Sequence, residues 1–217
     1  MDALQRFAKD IWVADGPTVR MWGIPLPTRM IVVKLHDDSL WVDSPVAATR
    51  EQAAQLDAIG SVAHLVSPTP LHDWRLKQWA TFFPRARVWK ASALNNSPPP
   101  DWNAEIDQLI FRGSIVLSEV EFFHKPSRTL ILADFIQNYT FERGRPLRNA
   151  LKRFGGVLGG GSPRDLRFSF VGKRRRRLGQ ESLHKLLSWD FDEVILAHGD
   201  LPTKNARALV ERSFRWL

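Results

Sequence analysis

Met30-Ile31-Val32-Val33-Lys34-Leu35, then His36-Asp37-Asp38-Ser39, then Leu40-Trp41-Val42-Asp43 reads as strand, polar turn and strand. β-Branched and aromatic residues fill both arms, and turn formers separate them, so the stretch is a hairpin. Directly beyond it Thr49 stands three residues before Gln52 in a capping-box spacing. Ala53, Leu56 and Ile59 then recur at helical spacing, with Gly60 as a stop, which predicts a helix over 50–59. Ser61-Val62-Ala63-His64-Leu65-Val66 follows as a short apolar run suited to a buried strand. Strand, helix and strand in this order indicate an α/β chain.

The same reading extends along the chain. Leu76, Trp79, Ala80 and Phe83 mark a helix ending at Pro84, and Arg87-Val88-Trp89 can start another strand. Asn95-Asn96-Ser97-Pro98-Pro99-Pro100 can hold neither helix nor ladder bonds, so it is a surface loop, and it is not taken as a domain boundary. Ser114 to Phe123 and Thr129 to Ala133 read as two strands joined by Lys125-Pro126-Ser127-Arg128, a second hairpin ending at Asp134. From Tyr139 to Ser169 the chain turns basic, and Gly155, Gly156, Gly159, Gly160 and Gly161 interrupt a helix begun near Pro146. A mobile helical insertion, roughly 139–170, is expected there. Val194-Ile195-Leu196-Ala197 is a buried strand, and Ala206, Leu209, Val210 and Phe214 form the apolar stripe of a closing helix.

A chain of 217 residues is long enough for one large domain over 1–217. Its 44% hydrophobic and 25% charged residues, with nine Trp and thirteen Phe, exclude global disorder. Cysteine is absent, so disulfides, thiolate zinc sites and a cysteine nucleophile are excluded, and any metal must be held by His and carboxylates. Met1 to Asp10 lacks the apolar core of a secretory signal, and no window approaches the roughly 20 apolar residues of a membrane span, so a cytoplasmic protein is expected. The net charge of +8, from 31 Lys and Arg against 23 Asp and Glu, is concentrated between Arg143 and Arg177. Such an excess favours polyanions such as RNA or an anionic lipid surface, although a solvated face is the plainer reading. Lys173-Arg174-Arg175-Arg176-Arg177 is read in that way, as a solvated strand or loop.

In α/β layers the polar residues just beyond the carboxyl ends of strands are free to converge on a ligand. Four such ends present Asp43, the Ser67-Pro68-Thr69-Pro70-Leu71-His72-Asp73 loop, Asp134 and His198. Asp43 reads as a structural carboxylate that holds the groove loops through backbone N–H groups. His36, His64 and His124 read as turn or strand residues, and His184 as a solvent-facing helical residue.

These residues resemble the metallo-β-lactamase-like superfamily. The resemblance rests on a hairpin ending in Asp43-Ser44-Pro45, a helix, a strand, a loop with His72, a hairpin ending in Ala133-Asp134 and a terminal Ala197-His198-Gly199. More narrowly, Leu40-Trp41-Val42-Asp43-Ser44-Pro45-Val46 and Phe122-Phe123-His124-Lys125-Pro126-Ser127-Arg128-Thr129-Leu130-Ile131-Leu132 are similar to a branch described only as a domain of unknown function. The resemblance implies a four-layer αβ/βα sandwich with its metal site in a groove at the top of two sheets. Active relatives use a His-x-His-x-Asp-His loop, a later His, a bridging Asp and a terminal His. Laid on this chain, that pattern puts Ser67, Thr69 and Leu71 where His, His and Asp are expected, and Ile115 near the place of the later His. Only His72, Asp134 and His198 match. Neutral hydroxyls bind zinc poorly, so a two-metal hydrolase is not expected.

The resemblance therefore implies His72, Asp134 and His198 as catalytic residues, and as ligands of any metal. No cofactor is expected beyond, at most, a single divalent ion: zinc, manganese or iron. Arg145, Arg148 and Arg174 are expected to rim the groove and select a small anionic substrate. A divergent hydrolase is the first reading; the alternatives are a non-catalytic ligand- or partner-binding scaffold and an RNA-binding protein acting through the basic segment.

Overall fold

The computed structural model describes residues 3–21, 24–202 and 205–217. The first sheet is built from β1 (Gln5–Ala8), β2 (Ile11–Met21), β3 (Ile24–Lys34), β4 (Ser39–Asp43), β5 (Ser61–Val66) and β6 (Arg87–Trp89), in that spatial order. Between these strands lie α1 (Arg50–Ile59) and α2 (Leu76–Phe82). The second sheet has β7 (Ile106–Phe111), β8 (Glu119–His124), β9 (Thr129–Leu132) and β10 (Glu193–Leu196), with α3 (Pro146–Gly155), α4 (Arg164–Phe168) and α5 (Gly172–Leu187) ahead of β10 and α6 (Ala206–Ser213) after it. The loop 95–100 lies where the chain leaves the first sheet for the second. No helix among the described residues is long and apolar enough to cross a membrane.

Side-chain alternation sorts the core into three apolar layers. Trp41 on β4, Ile31 and Val33 on β3, Phe122 on β8 and Ile131 on β9 meet between the sheets. Leu40, Val42, Met30 and Val32 point the other way, against Ala53 and Leu56 of α1 and Leu76 and Trp79 of α2. Leu130, Leu132 and Phe123 point outward from the second sheet, against Leu186 of α5 and Leu209 and Val210 of α6. Strands covered on both faces read as continuous apolar runs, which explains why 30–33 and 130–133 look uniformly hydrophobic. The architecture is the expected four-layer αβ/βα sandwich.

Several local expectations hold to the residue. Thr49 Oγ1 accepts from the Gln52 N–H at 3.2 Å, so α1 starts where its cap predicts. The reciprocal half of the capping box is absent, because both side-chain polar atoms of buried Gln52 lack protein partners. Gly60 ends the helix in extended backbone; a Cβ there would meet the Asp38 carbonyl oxygen at 2.3 Å.

Other expectations are corrected. The strand expected from Ser114 begins only at Glu119, because Ser114 Oγ accepts the N–H groups of Val116 and Leu117 and holds 114–117 in a turn. The strands β1, β2 and β7 were not anticipated. Residues 173–177 are neither strand nor loop but the opening turns of α5. The 139–170 segment, expected to be mobile, is tied to the body by reciprocal Gln137–Gly161 backbone hydrogen bonds of 3.0 and 2.9 Å and by the Thr140 N–H to the Asp200 carboxylate at 2.8 Å.

The layer between the sheets is closely interlocked: Phe122 meets Trp41 edge-to-face at 4.9 Å, and Trp41 meets Trp102 at 6.3 Å. Phe122→Ala is expected to cost about 3–5 kcal/mol of unfolding free energy in urea denaturation. A change below about 1 kcal/mol would mean that this layer can collapse around the cavity.

Candidate functional site

Asp134 sits two residues past the end of β9, beside the ends of both sheets. Its backbone is fixed by Glu119, whose carboxylate accepts the N–H groups of Ala133, Asp134 and Phe135 at 2.6, 2.9 and 2.8 Å. The Asp134 carboxylate faces two loops. Thr69 Oγ1 donates to Oδ2 at 2.9 Å, His198 Nε2 lies 3.1 Å from Oδ1, and His72 Nε2 lies 3.6 Å from Oδ2. His72 comes from the 3₁₀ turn Pro70–Arg75, where its N–H bonds to the Thr69 carbonyl. The two imidazoles lie 5.3 Å apart, centroid to centroid.

His198 follows β10 and is held by the first sheet. Its Nδ1 lies 2.7 Å from the Pro27 carbonyl, which can only accept, so Nδ1 carries a hydrogen. Nε2 must therefore either carry a second proton toward Asp134 or offer its lone pair to a cation. Nearby, Arg29 of β3 donates to the Leu196 carbonyl at 2.7 Å and pairs with Asp15 at 2.7 Å, fixing the strand that delivers His198. Burial opposes charge on His198, but the Asp134 hydrogen bond and charge and the Pro27 carbonyl outweigh it and raise the ring's pKa. Burial also opposes charge on Asp134, yet the nearby His72 charge and the hydrogen bonds from both rings hold its carboxyl well below the usual range.

The donor set suits one metal ion. Ligand atoms of His72, Asp134 and His198 all lie within 4.8 Å of one another. His198 Nε2 and His72 Nε2 approach different oxygens of the Asp134 carboxylate, at 3.1 and 3.6 Å, so the two rings flank it from either side. The Pro27 carbonyl on His198 Nδ1 is the outer contact that metal-bound histidines ordinarily have. Among the described residues this is the cluster of His and carboxylates that could hold an ion. The other positions of the superfamily pattern offer no strong ligand: Thr69 donates to Asp134, buried Ser67 donates to the Thr69 carbonyl at 2.6 Å, Leu71 lines the cleft with an apolar side chain and Ile115 is 55% exposed.

A cleft of about 60 Å³, room for a few waters, opens over the cluster. Arg75 and Trp74 form part of its wall, whereas Arg145, Arg148 and Arg174 are exposed and are not among its lining residues. Arg148 instead pairs with Glu142 at 3.2 Å. Arg75 stacks on Trp74 at 3.7 Å and donates to Gln78, and its Nε is buried with no protein partner. One clue to Arg75 was available in the sequence: residues three apart eclipse in a 3₁₀ turn, which puts it on the same face as His72.

The remaining histidines lie away from the cluster. His36 Nδ1 meets Glu105 at 2.7 Å, His64 accepts from Trp89 at 3.2 Å, His124 Nδ1 meets Ser127 Oγ at 2.7 Å and His184 is exposed on α5. Asp43 is fully enclosed, but it binds the Ser44 hydroxyl at 3.2 Å, and its Oδ1 is unpartnered, so it is not the expected acceptor of several backbone N–H groups.

Sequence reasoning also missed Glu119 and Glu121. Both are wholly buried on the β8 face that carries Phe123, between apolar neighbours. Burial, reinforced by neighbouring carboxylates, pushes Glu121 well up, Glu119 to about 7 and Asp43 to about 8. These groups hold protons in the fold that the unfolded chain releases near pH 4, so stability is greatest in mild acid and falls as pH rises toward about 8. Asp43→Asn is expected to flatten that fall by up to about 1.4 kcal/mol per pH unit, read from urea unfolding at stepped pH. An unchanged pH slope would show that Asp43 is ionised in the fold.

Residues 9–98 match the sequence profile of a family described as Domain of unknown function (DUF4336). No curated protein matches the chain in sequence. Its fold is similar to that of the DIM-1 metallo-beta-lactamase, at 14% identity and TM-score 0.64 over 98% of this chain and 95% of that one. An NDM_FIM-1 like metallo-beta-lactamase from Erythrobacter litoralis, in a mono-zinc form, matches at 12% identity and TM-score 0.58 over 99% and 95% of the two chains. The metal-soaked Flv1 flavodiiron core from Synechocystis sp. PCC6803 matches at 10% identity and TM-score 0.54, over 98% of this chain and 60% of that one. The order of strands, the layers and these likenesses together make this an α/β protein of the metallo-β-lactamase-like fold.

Proposed function

We propose that the chain is a divergent hydrolase of a small anionic substrate, centred on His72, Asp134 and His198, with at most one divalent ion: zinc, manganese or iron. The observation that carries this reading is the convergence of two imidazoles and one carboxylate, with ligand atoms within 4.8 Å of one another, beneath an open cleft. When bound, such an ion would polarise the oxygen of the bond to be cleaved. The chain's own residues do the rest. Pro27 and Asp134 orient His198, Thr69 orients Asp134, and His72 stands at the rim with 11% of its side chain exposed, where it can pass a proton to or from a ligand. Arg75 offers an unpartnered N–H beside it for an anionic group.

One observation favours the second reading, a metal-free binding scaffold: Thr69, His198 and His72 together already answer the Asp134 carboxylate. In that case His198 donates from both ring nitrogens, to Pro27 and Asp134, and the cluster holds loops together. Elemental analysis of protein equilibrated with Zn²⁺, Mn²⁺ and Fe²⁺ separates the two. The hydrolase reading expects about one ion per chain; the ion should be lost in His72→Ala/His198→Ala. No ion in either protein, with a large drop in melting temperature for the variant, would assign the cluster to the scaffold. With a nitrophenyl phosphate ester as probe, Arg75→Ala should raise KM about tenfold and leave kcat nearly unchanged.

A further inference from the structure

The segment from Tyr139 to Arg177 has an inverted amphipathicity. On α3, Leu147, Leu151 and Phe154 recur at helical spacing on one stripe and are 73%, 51% and 69% exposed. The opposite face is polar and is the one that holds the helix to the protein. Asn149 there is buried and exchanges hydrogen bonds with the Glu142 backbone, and Lys152 reaches the Thr140 carbonyl and the Glu142 carboxylate. The apolar stripe thus points directly away from the body. Arg148 and Arg153 flank it on either side, both exposed.

Neighbouring elements extend the patch. Arg164 of α4 stacks on Phe154 at 4.7 Å, and Phe168 and Val171 beyond it are 74% and 59% exposed. Half of the twelve large hydrophobic residues exposed among the described residues fall between Phe141 and Val171. The stretch Tyr139–Arg177 also holds twelve Lys and Arg against only Glu142 and Asp165, an excess of ten that is larger than the net +8 of the whole chain. The rest of the molecule is therefore slightly acidic, and the cations are confined to the segment that exposes the apolar stripe.

We propose that this face docks onto an anionic lipid bilayer surface, with Leu147, Leu151 and Phe154 entering the boundary of the acyl chains and the arginines held at the phosphates. Aliphatic residues flanked by long cationic side chains suit that boundary, because the arginines can extend their heads to the phosphates while their stems cover apolar surface. Single-stranded RNA would be held by stacking on aromatic rings; Phe141, Phe154 and Phe168 are exposed here, but Arg164 already stacks on Phe154, and Leu147, Leu151 and Val171 give the patch an aliphatic half that suits acyl chains better than bases. A second copy of the chain would bring the same cations against one another.

The test is flotation of the full chain with phosphatidylcholine vesicles, with or without roughly a third phosphatidylglycerol. Binding is expected only to the anionic vesicles. Leu147→Ser/Leu151→Ser/Phe154→Ser, which keeps every charge, should weaken it at least about tenfold with no loss of melting temperature. Arg148→Gln/Arg153→Gln should weaken it too, and more at low salt than at high. Vesicle binding that the triple serine variant retains in full would reduce the effect to simple charge adsorption and overturn the proposal. So would no vesicle binding at all, whether the chain then binds a single-stranded RNA oligonucleotide, forms a dimer that the triple variant abolishes, or does neither.

Discussion

A buried carboxylate at the seam of two sheets sets the terms for the whole candidate site. The space between the sheets is filled mainly by Trp41, Phe122, Ile131 and their neighbours, and the candidate site gathers at the strand ends. Asp134 is placed there by the end of β9 and cannot be hydrated freely, so donors must come to it. Thr69, His72 and His198 supply them from two loops, and Glu119 holds the backbone that aims the carboxylate. The same convergence that satisfies a buried charge also makes a set of metal-ligand spacing.

Beneath this cluster the protein tolerates three further buried acids. Glu119, Glu121 and Asp43 lie within reach of one another's charge, and burial pushes each toward its neutral form. Carrying them as neutral acids avoids placing several like charges in a small apolar volume. Asp134, held toward its charged form, and the three acids, pushed toward their neutral forms, are thus two outcomes of one electrostatic constraint: the histidines answer Asp134, while burial and like charges act on the others.

The chain's excess positive charge is used elsewhere. It lies on the 139–177 segment, tied to the body at Gln137–Gly161 and, through the Asn138–Gly199 bridge, beside the loop that carries His198. Sequence reading assigned its arginines to the groove, but the cleft is lined instead by Arg75 and Arg29, each isolated in sequence from the basic run. Density of charge along a chain says little about which cation faces a site.

By itself, the sequence determined the periodic elements. The hairpin of β3 and β4, the Thr49 cap of α1 and the apolar runs of β5, β9 and β10 are local patterns, enforced by backbone sterics and by which face must be dry. It also marked Asp134, His72 and His198, because polar residues at strand ends stand out against apolar strands. Only the tertiary structure decided what those residues meet. The contacts of Glu119 with 133–135, Pro27 with His198 and Thr69 with Asp134 join residues far apart in the chain, and no local spacing encodes them. Glu119 and Glu121 illustrate the reason: in sequence they look like the solvent face of an alternating strand, and only the helices packed over that face turn them into buried acids.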